Sequence, residues 1–424
     1  MTDSVRDQYE AYPYPSRDPA EEATRLVVGS PSNLMELNHY LYAGRRDFSR
    51  PFRALVAGGG TGDAAIMLAQ QLSDAAQAGT GSPGSNPGAK RGGEVVYLDL
   101  SQSSRSVAEA RAGARGLTNI RFVTGSLLEV GKLDLGVFDY IDCCGVLHHL
   151  KEPAAGLSAL AGLLKDDGGM GLMVYGTLGR DGVYPLQEML RRLAGDQPLA
   201  EQVTLARRLL GNLPASNLFA RNPVLRDHGG SDAELVDLLL HSQDRAYLVE
   251  EVAALVEGCG LKLVTFIEPL RYDPATYVKD PVLLKALSGL SPLERAAFAE
   301  KLAGNLKTHV FYVTKNLIED TVASPAGRDA VPCLRVMQGP QLAKAVQRDL
   351  SLKGEFDGLA LQFPLPRLAP AILPWIDGQT PLSKIQETLQ DLDPRHDWAR
   401  FKVQFDQLYA VLNGLNHLFI RYPV

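Results

Sequence analysis

The segment from Phe52 to Asp63, FRALVAGGGTGD, constrains this chain most. A short apolar run leads into a glycine-rich turn with Gly58, Gly60 and Gly62. An apolar-periodic stretch from Ala64 to Leu72 follows. That order reads as strand, tight loop and helix. Glycine has no Cβ, so such a loop lets backbone N–H groups come close to a bound ligand. A dinucleotide fingerprint needs Gly-x-Gly-x-x-Gly and would demand glycine at position 63. Asp63 stands there instead, so the spacing Gly58-x-Gly60-x-Gly62 is of another kind. A plain turn is the competing reading, and the rest of the first half decides between them.

A second β-type run, Val95 to Ser101, ends on Asp99. In nucleotide-binding α/β folds a carboxylate at that strand end accepts hydrogen bonds from ribose hydroxyls, about 20 residues beyond the glycines. Asp99 lies 37 residues after Gly62, but positions 78–93 form a Gly/Ser/Pro-rich tract of 16 residues without apolar periodicity. Read as a flexible surface insertion, the tract leaves 21. The other reading of Asp99 is a cap on the following helix. Asn119–Leu128 reads as a third strand and its loop, Phe138–Leu150 as a fourth. A helix over Pro153–Leu164, a turn at Asp166–Gly169 and a fifth strand over Met170–Tyr175 follow. Alternation of this kind predicts a parallel, doubly wound sheet.

The sequence FDYIDCCGVLHHLKEP followed by LLKDDGGMGLMVYG resembles the fourth and fifth strands of class I S-adenosylmethionine (SAM)-dependent methyltransferases, and the glycine loop resembles their SAM loop. The resemblance covers residues 53–175. It implies an α/β fold: a doubly wound seven-stranded sheet with inserted helices. A smaller, mostly helical C-terminal domain would follow. It also implies SAM as cofactor, held by Gly58, Gly60, Gly62, Asp99, Leu100, Ser126, Leu127, Cys144 and Gly145. Two positions depart from the family pattern. Val56 stands where an acidic residue is frequent. Ser126 stands where an aspartate usually holds the adenine amino group, and its hydroxyl can accept the same bond without charge.

A chain of 424 residues buries a sizeable core and predicts two domains. With 45% hydrophobic and 22% charged residues the composition is that of a soluble globular protein. A net charge of -6 gives no electrostatic reason for nucleic-acid binding. No apolar run approaches 18 residues, so no membrane span is expected, and the polar N-terminus lacks a signal-peptide core. Cys143, Cys144, Cys259 and Cys333 show no metal spacing, and a reducing cytoplasm suits them.

Residues 1–50 precede the first strand. Tyr9, Tyr12 and Tyr14 sit beside Pro13 and Pro15, which are expected to hold an extended aromatic strap over the cofactor site, as substrate-contacting or lid residues. A surface strap on the sheet edge is the alternative. After the fifth strand, helical patterns at Leu186–Leu193, Leu199–Leu210 and Asp232–Leu240 predict a helical cap over about 180–245. Leu248–Val256 reads as a helix, with strands at Leu261–Phe266 and Thr308–Thr314 closing the methyltransferase domain, 51–317. A polar linker leads to an accessory domain over 325–424. There Thr380-Pro381 reads as a helix start, and Trp398, Phe401, Phe405, Leu408, Leu412 and Leu415 form a longer amphipathic helix. The run LAPAILPWIDGQTPLSKIQETL resembles small winged-helix-like modules. With 11 Lys/Arg against 10 Asp/Glu over 325–424, phosphate attraction is weak.

Methyl transfer from a sulfonium needs the acceptor placed in line and, where present, an acceptor proton removed. His148, His149 and Tyr175 are the catalytic candidates, because they sit at the carboxyl ends of the fourth and fifth strands, where ligands of open α/β sheets bind. The histidine pair read as a structural helix start, and Tyr175 as pocket lining, are the alternatives. His241, with Asp244, is a candidate substrate or lid residue, or a helix cap. Asp142-Cys143-Cys144-Gly145 lacks the Asn/Asp-Pro-Pro-Tyr/Phe signature of amino-methylating nucleic-acid enzymes, and no proline precedes either cysteine as in cytosine-C5 enzymes. Both cysteines read as small buried residues. The expected acceptor is a protein or peptide amine. A small-molecule acceptor and a non-catalytic SAM-binding scaffold are the rivals, homo-oligomerisation is open, and no metal constellation is visible.

Overall fold

Strands that read as unbroken apolar runs form a sheet buried on both faces. Residues 95–98 of β2 (Gly93–Asp99) and 138–143 of β4 (Phe138–Cys144) are buried without alternation, as expected where a parallel sheet is covered on both sides. The remaining strands are β1 (Phe52–Ala57), β3 (Ile120–Thr124), β5 (Leu164–Tyr175), β6 (Leu261–Phe266) and β7 (Thr308–Lys315). Their order is β3-β2-β1-β4-β5-β7-β6, with β7 antiparallel to β5. The computed structural model describes residues 3–78, 92–225, 229–315, 320–346 and 348–423. The expected insertion lies outside the described residues over 79–91, as does the expected end of the core over 316–319.

The sequence runs away from β1 in both directions, to β2 and then to β4, so the crevice above the carboxyl ends of these three strands is the topological switch point. The chain makes the helices α1 (Asp3–Ala11), α2 (Leu34–Leu41), α3 (Asp63–Ala78), α4 (Gln102–Ala114), α5 (Pro153–Leu163), α6 (Val183–Ala194) and α7 (Leu199–Leu210). Gly62 starts α3 at φ +104, and its carbonyl accepts from Ile66 N at 2.9 Å.

Three local expectations are corrected. The N-terminal strap is not extended throughout, since α1 carries Tyr9 and buries Val5 and Gln8. Pro13 and Pro15 end that helix instead of preventing it, because both lie beyond Ala11, where a missing N–H and a restricted preceding residue stop a helix from continuing. The turn expected at 166–169 belongs to β5, whose pairing with β4 is irregular between Phe138 and Tyr140. The helix expected over Asp232–Leu240 is α-helical only to Leu235 and continues as a π-turn over Val236–Leu240.

The N-terminal segment is bound to the sheet domain by charge. The Glu10 carboxylate accepts from Gln102 N (2.6 Å) and Ser103 N (3.0 Å), capping α4 where the helix dipole favours an anion. Arg111, 1% exposed, donates to Glu22 (2.5 Å), Asp63 (2.7 Å) and the Thr61 carbonyl (2.8 Å). Arg115 also pairs with Glu22, and Arg17 with Asp63. Removing one partner from such a buried set leaves an uncompensated charge, at a cost of roughly 3–5 kcal/mol.

The chain divides into two compact units: Met1–Asn33, Phe48–Leu263 and Gly304–Leu317 form one, and Leu34–Asp47, Val264–Ala303 and Ile318–Val424 the other. The second unit is therefore wider than the last hundred residues. It pairs β8 (Val331–Leu334) with β11 (Leu418–Arg421) and β9 (Ser351–Phe356) with β10 (Leu359–Pro364). Helices Leu382–Leu392 and Trp398–Gly414 bury Ile385, Leu389, Phe401, Phe405 and Leu408. α2 belongs here because its buried His39 uses Nδ1 to accept from Ile420 N at 3.0 Å. Burial pushes the pKa of His39 down to about 4, so it stays a neutral acceptor. No helix among the described residues is long and apolar enough to cross a membrane.

A Cβ at Gly62 would lie 2.9 Å from Ala108 Cβ and 3.2 Å from Ala108 Cα, and φ +104 strains any L side chain. Gly62→Ala is expected to destabilise the sheet unit by about 2 kcal/mol, lowering its melting temperature by roughly 4–8 °C. Differential scanning calorimetry checks this, and an unchanged melting temperature would contradict the close packing.

Candidate active site

Above the switch point lies a cavity of about 330 Å³, lined from the glycine loop, the ends of β2, β4 and β5, α1 and the inserted segment. Its floor is backbone. Gly58 has φ +81 and Gly60 φ +50. A Cβ at Gly58 would overlap the Val146 side chain, and one at Gly59 the Tyr97 ring, while one at Gly60 would lie 2.6 Å from the Tyr14 carbonyl oxygen. The loop is thus pressed from three sides, and only glycine satisfies each contact. Tyr97 Oη donates to the Gly60 carbonyl at 2.6 Å. Asp99 Oδ2 accepts from Gly60 N and Oδ1 from Ser101 N, each at 2.8 Å. These bonds fix the carboxylate at the rim of the cavity and leave further lone pairs on both oxygens. Burial raises the pKa of Asp99 above the usual carboxylate value, although its backbone donors oppose the shift.

The opposite wall is a buried polar network. Asp237, on the π-turn, accepts from Tyr9 Oη (3.0 Å) and Tyr175 Oη (2.9 Å). Gln243 N donates to His241 Nδ1 at 3.1 Å, so the His241 proton sits on Nε2 and points to Tyr9 Oη at 3.3 Å. His149 Nδ1 lies 2.9 Å from the Gln243 carbonyl, which only accepts. The proton is therefore on Nδ1, and Nε2 keeps a lone pair. The rings of His149 and His241 stack at 3.7 Å. Burial pushes the pKa of His149 down to about 4 and that of His241 to about 3, so both are neutral near pH 7. Burial raises Asp237 and both tyrosines. Arg180 lies over the Tyr175 ring at 3.6 Å and pairs with Asp244 at 2.8 Å, which also accepts from Gln187 at 3.0 Å.

Of the residues singled out from sequence, Gly58, Gly60, Asp99, Leu100, Cys144, Gly145, His149, Tyr175, Tyr9 and Tyr14 line the cavity. The others are not among its lining residues. Gly62 packs on Ala108. The Ser126 hydroxyl caps the next turn at Leu128 N, 3.2 Å away, and Leu127 is buried beside Gly156. Tyr12 packs on the core of the inserted helices. His241 is bonded to Tyr9. His148 is fully buried and stacks on Tyr175 at 3.8 Å, with neither ring nitrogen hydrogen-bonded among the described residues. Burial raises the thiol pKa of Cys143 and Cys144, so neither is an activated nucleophile.

Sequence reasoning missed Asp142, Arg180 and Asp237. The signal for Asp237 was present: a single acid inside the apolar stretch LVDLLL marks a buried charge in need of partners. Arg180 and Asp142 had no comparable local mark.

A family profile described as a methyltransferase domain matches residues 55–170, from the glycine loop into the fifth strand. A curated protein of Synechococcus sp. (strain ATCC 27144 / PCC 6301 / SAUG 1402/1), named uncharacterized protein syc1184_c, is 30% identical over 328 residues, covering 74% of this chain and 72% of its own. The structure of PKMT2 from Rickettsia typhi shares the fold with a TM-score of 0.60 at 13% identity, over 91% of this chain and 74% of that one. The same protein in complex with AdoHcy aligns with a TM-score of 0.62 at 13% identity, over 95% and 76%. The cavity suits an adenosyl ligand, having a glycine cradle that no Cβ can enter and a carboxylate fixed beside it. The matched segment, residues 55–170, is a methyltransferase domain of the SAM-dependent class I fold, and SAM is the cofactor of that domain.

Proposed function

We propose that this methyltransferase acts on an amine, presented by a protein or peptide, with SAM held by the Gly58–Gly60 backbone and Asp99. The observation that carries the reading is Asp237, a buried carboxylate at the cavity wall flanked by the hydroxyls of Tyr9 and Tyr175. A carboxylate between aromatic rings suits an ammonium group arriving from water. The cofactor supplies an electrophilic methyl group, so the bound ammonium must first give up a proton, to the Asp237 carboxylate whose basicity burial raises, before its nitrogen presents a lone pair. His149 Nε2 is a neutral acceptor at the same cavity, and an amine N–H donating to it would have its lone pair turned away from the ring. His149 and Tyr175 are then the catalytic side chains beside Asp237, with His148 and His241 behind them. α1 and the Tyr14–Pro15 segment form the lid, because Thr61 N and Oγ1 donate to the Tyr14 and Pro15 carbonyls. One observation favours a small anionic acceptor instead: Arg180 and Lys307 line the same cavity.

Incubating the enzyme with methyl-labelled SAM and a lysate separates the two acceptors. The proposal expects label in protein, recovered as N-methylated amino acid after acid hydrolysis. Label confined to the small-molecule fraction, or none transferred, would overturn it. Asp237→Asn is expected to lower kcat/KM for that acceptor about 30-fold, roughly the 2 kcal/mol of one lost charge-assisted contact. The SAM dissociation constant should stay within about twofold. Steady-state kinetics beside calorimetry check this, and unchanged turnover would remove Asp237 from acceptor binding.

A further inference from the structure

Five carboxylates border the cavity: Asp63, Asp99, Asp142, Glu234 and Asp237. Three are answered by cations or backbone amides, and Asp237, the group proposed for the acceptor, by two phenols. Asp63 pairs with Arg17 and Arg111, and Asp99 with backbone amides. Glu234 accepts from Ser231 N at 2.7 Å in a capping box, and Asp237 accepts from two tyrosines. Asp142 differs. It is 3% exposed, and its Oδ2 accepts from Ser32 Oγ at 2.5 Å and Cys144 Sγ at 3.6 Å. Among the described residues no cation pairs with it. Its donors are a close hydroxyl, a thiol and the Cys144 backbone, none of them charged, so a carboxylate this far from water gains further from an arriving positive charge. Burial alone holds its pKa up at about 6.

Its place is as telling as its isolation. Asp142 is near the carboxyl end of β4, in register with Val56 of β1, so both side chains project from the same face beside the glycine loop. Asp99 ends β2 on the other side of β1. A ligand lying across the switch point with its ribose at Asp99 has its far end above β1 and β4. Val56 offers no charge there. Ser32 Oγ, itself 3.1 Å from Tyr140 Oη, fixes the Asp142 carboxylate in one orientation.

We infer that Asp142 is the counter-charge for the α-ammonium group of the SAM methionine moiety, supplied from β4 and held by Ser32. The sulfonium offers no N–H, whereas the ammonium offers three donors to a carboxylate. The inference rests on the cofactor and not on the identity of the acceptor.

Equilibrium binding tests it without turnover. The ligands are S-adenosylhomocysteine, its analogue with the α-amino group replaced by hydrogen, and 5′-methylthioadenosine, which lacks the amino-acid moiety. The wild-type chain should bind S-adenosylhomocysteine at least tenfold more tightly than the deaminated analogue. Asp142→Asn should weaken S-adenosylhomocysteine about tenfold and leave 5′-methylthioadenosine within twofold. Val56→Asp combined with Asp142→Asn, which moves the carboxylate to the neighbouring strand, should restore most of the loss. Equal wild-type affinity for the amino and deaminated ligands would overturn the inference even if the variants fail to fold. Parallel loss of all three ligands in Asp142→Asn would overturn it too, by making Asp142 a structural residue.

Discussion

The hydrogen bond from Gly60 N to Asp99 is the constraint on which the site depends. It joins the first βα loop to the end of the second strand and fixes a carboxylate above backbone that no side chain shields. The loop can be gripped this way only because it has no side chains of its own. Val146 presses on Gly58, Tyr97 on Gly59 and the Tyr14 carbonyl on Gly60. Each contact comes from a different part of the chain, so the cradle is an outcome of the whole sheet unit and not of a local turn.

The N-terminal segment is the second part of that outcome. It crosses the glycine loop, and it is held by groups that also belong to the core. Glu10 caps α4, Arg111 and Arg115 gather Glu22, and Thr61 binds the Tyr14 and Pro15 carbonyls. α1 also brings Tyr9 to Asp237, so one short helix touches both the cofactor rim and the polar wall. Neutral histidines, phenols and a buried carboxylate make up that wall, with Arg180 lying over the Tyr175 ring.

The sequence made the sheet legible because its signals are local. Unbroken apolar runs marked β1, β2 and β4, and the glycine spacing with Asp99 marked the edge where the cavity lies. What stayed hidden depends on contacts distant in the chain. Tyr9 meets Asp237 across 228 residues, and nothing near either residue announces the other. Asp142 looked like part of a motif because its missing cation is a property of the fold. The second unit was read as a C-terminal domain alone, since the pairing of His39 with Ile420 spans 381 residues. The helix over Asp3–Ala11 was obscured by prolines that act only beyond its end.

Hydrogen–deuterium exchange of the full chain with and without SAM tests the central claim most directly, because it reports where the cofactor is held without assuming any acceptor. The structure predicts slowed exchange in residues 57–62, 98–102 and 142–146, where the cradle and the strand ends lie, and in residues 8–15, which cross them. Protection absent from the glycine loop, or confined to the second unit, would contradict the account.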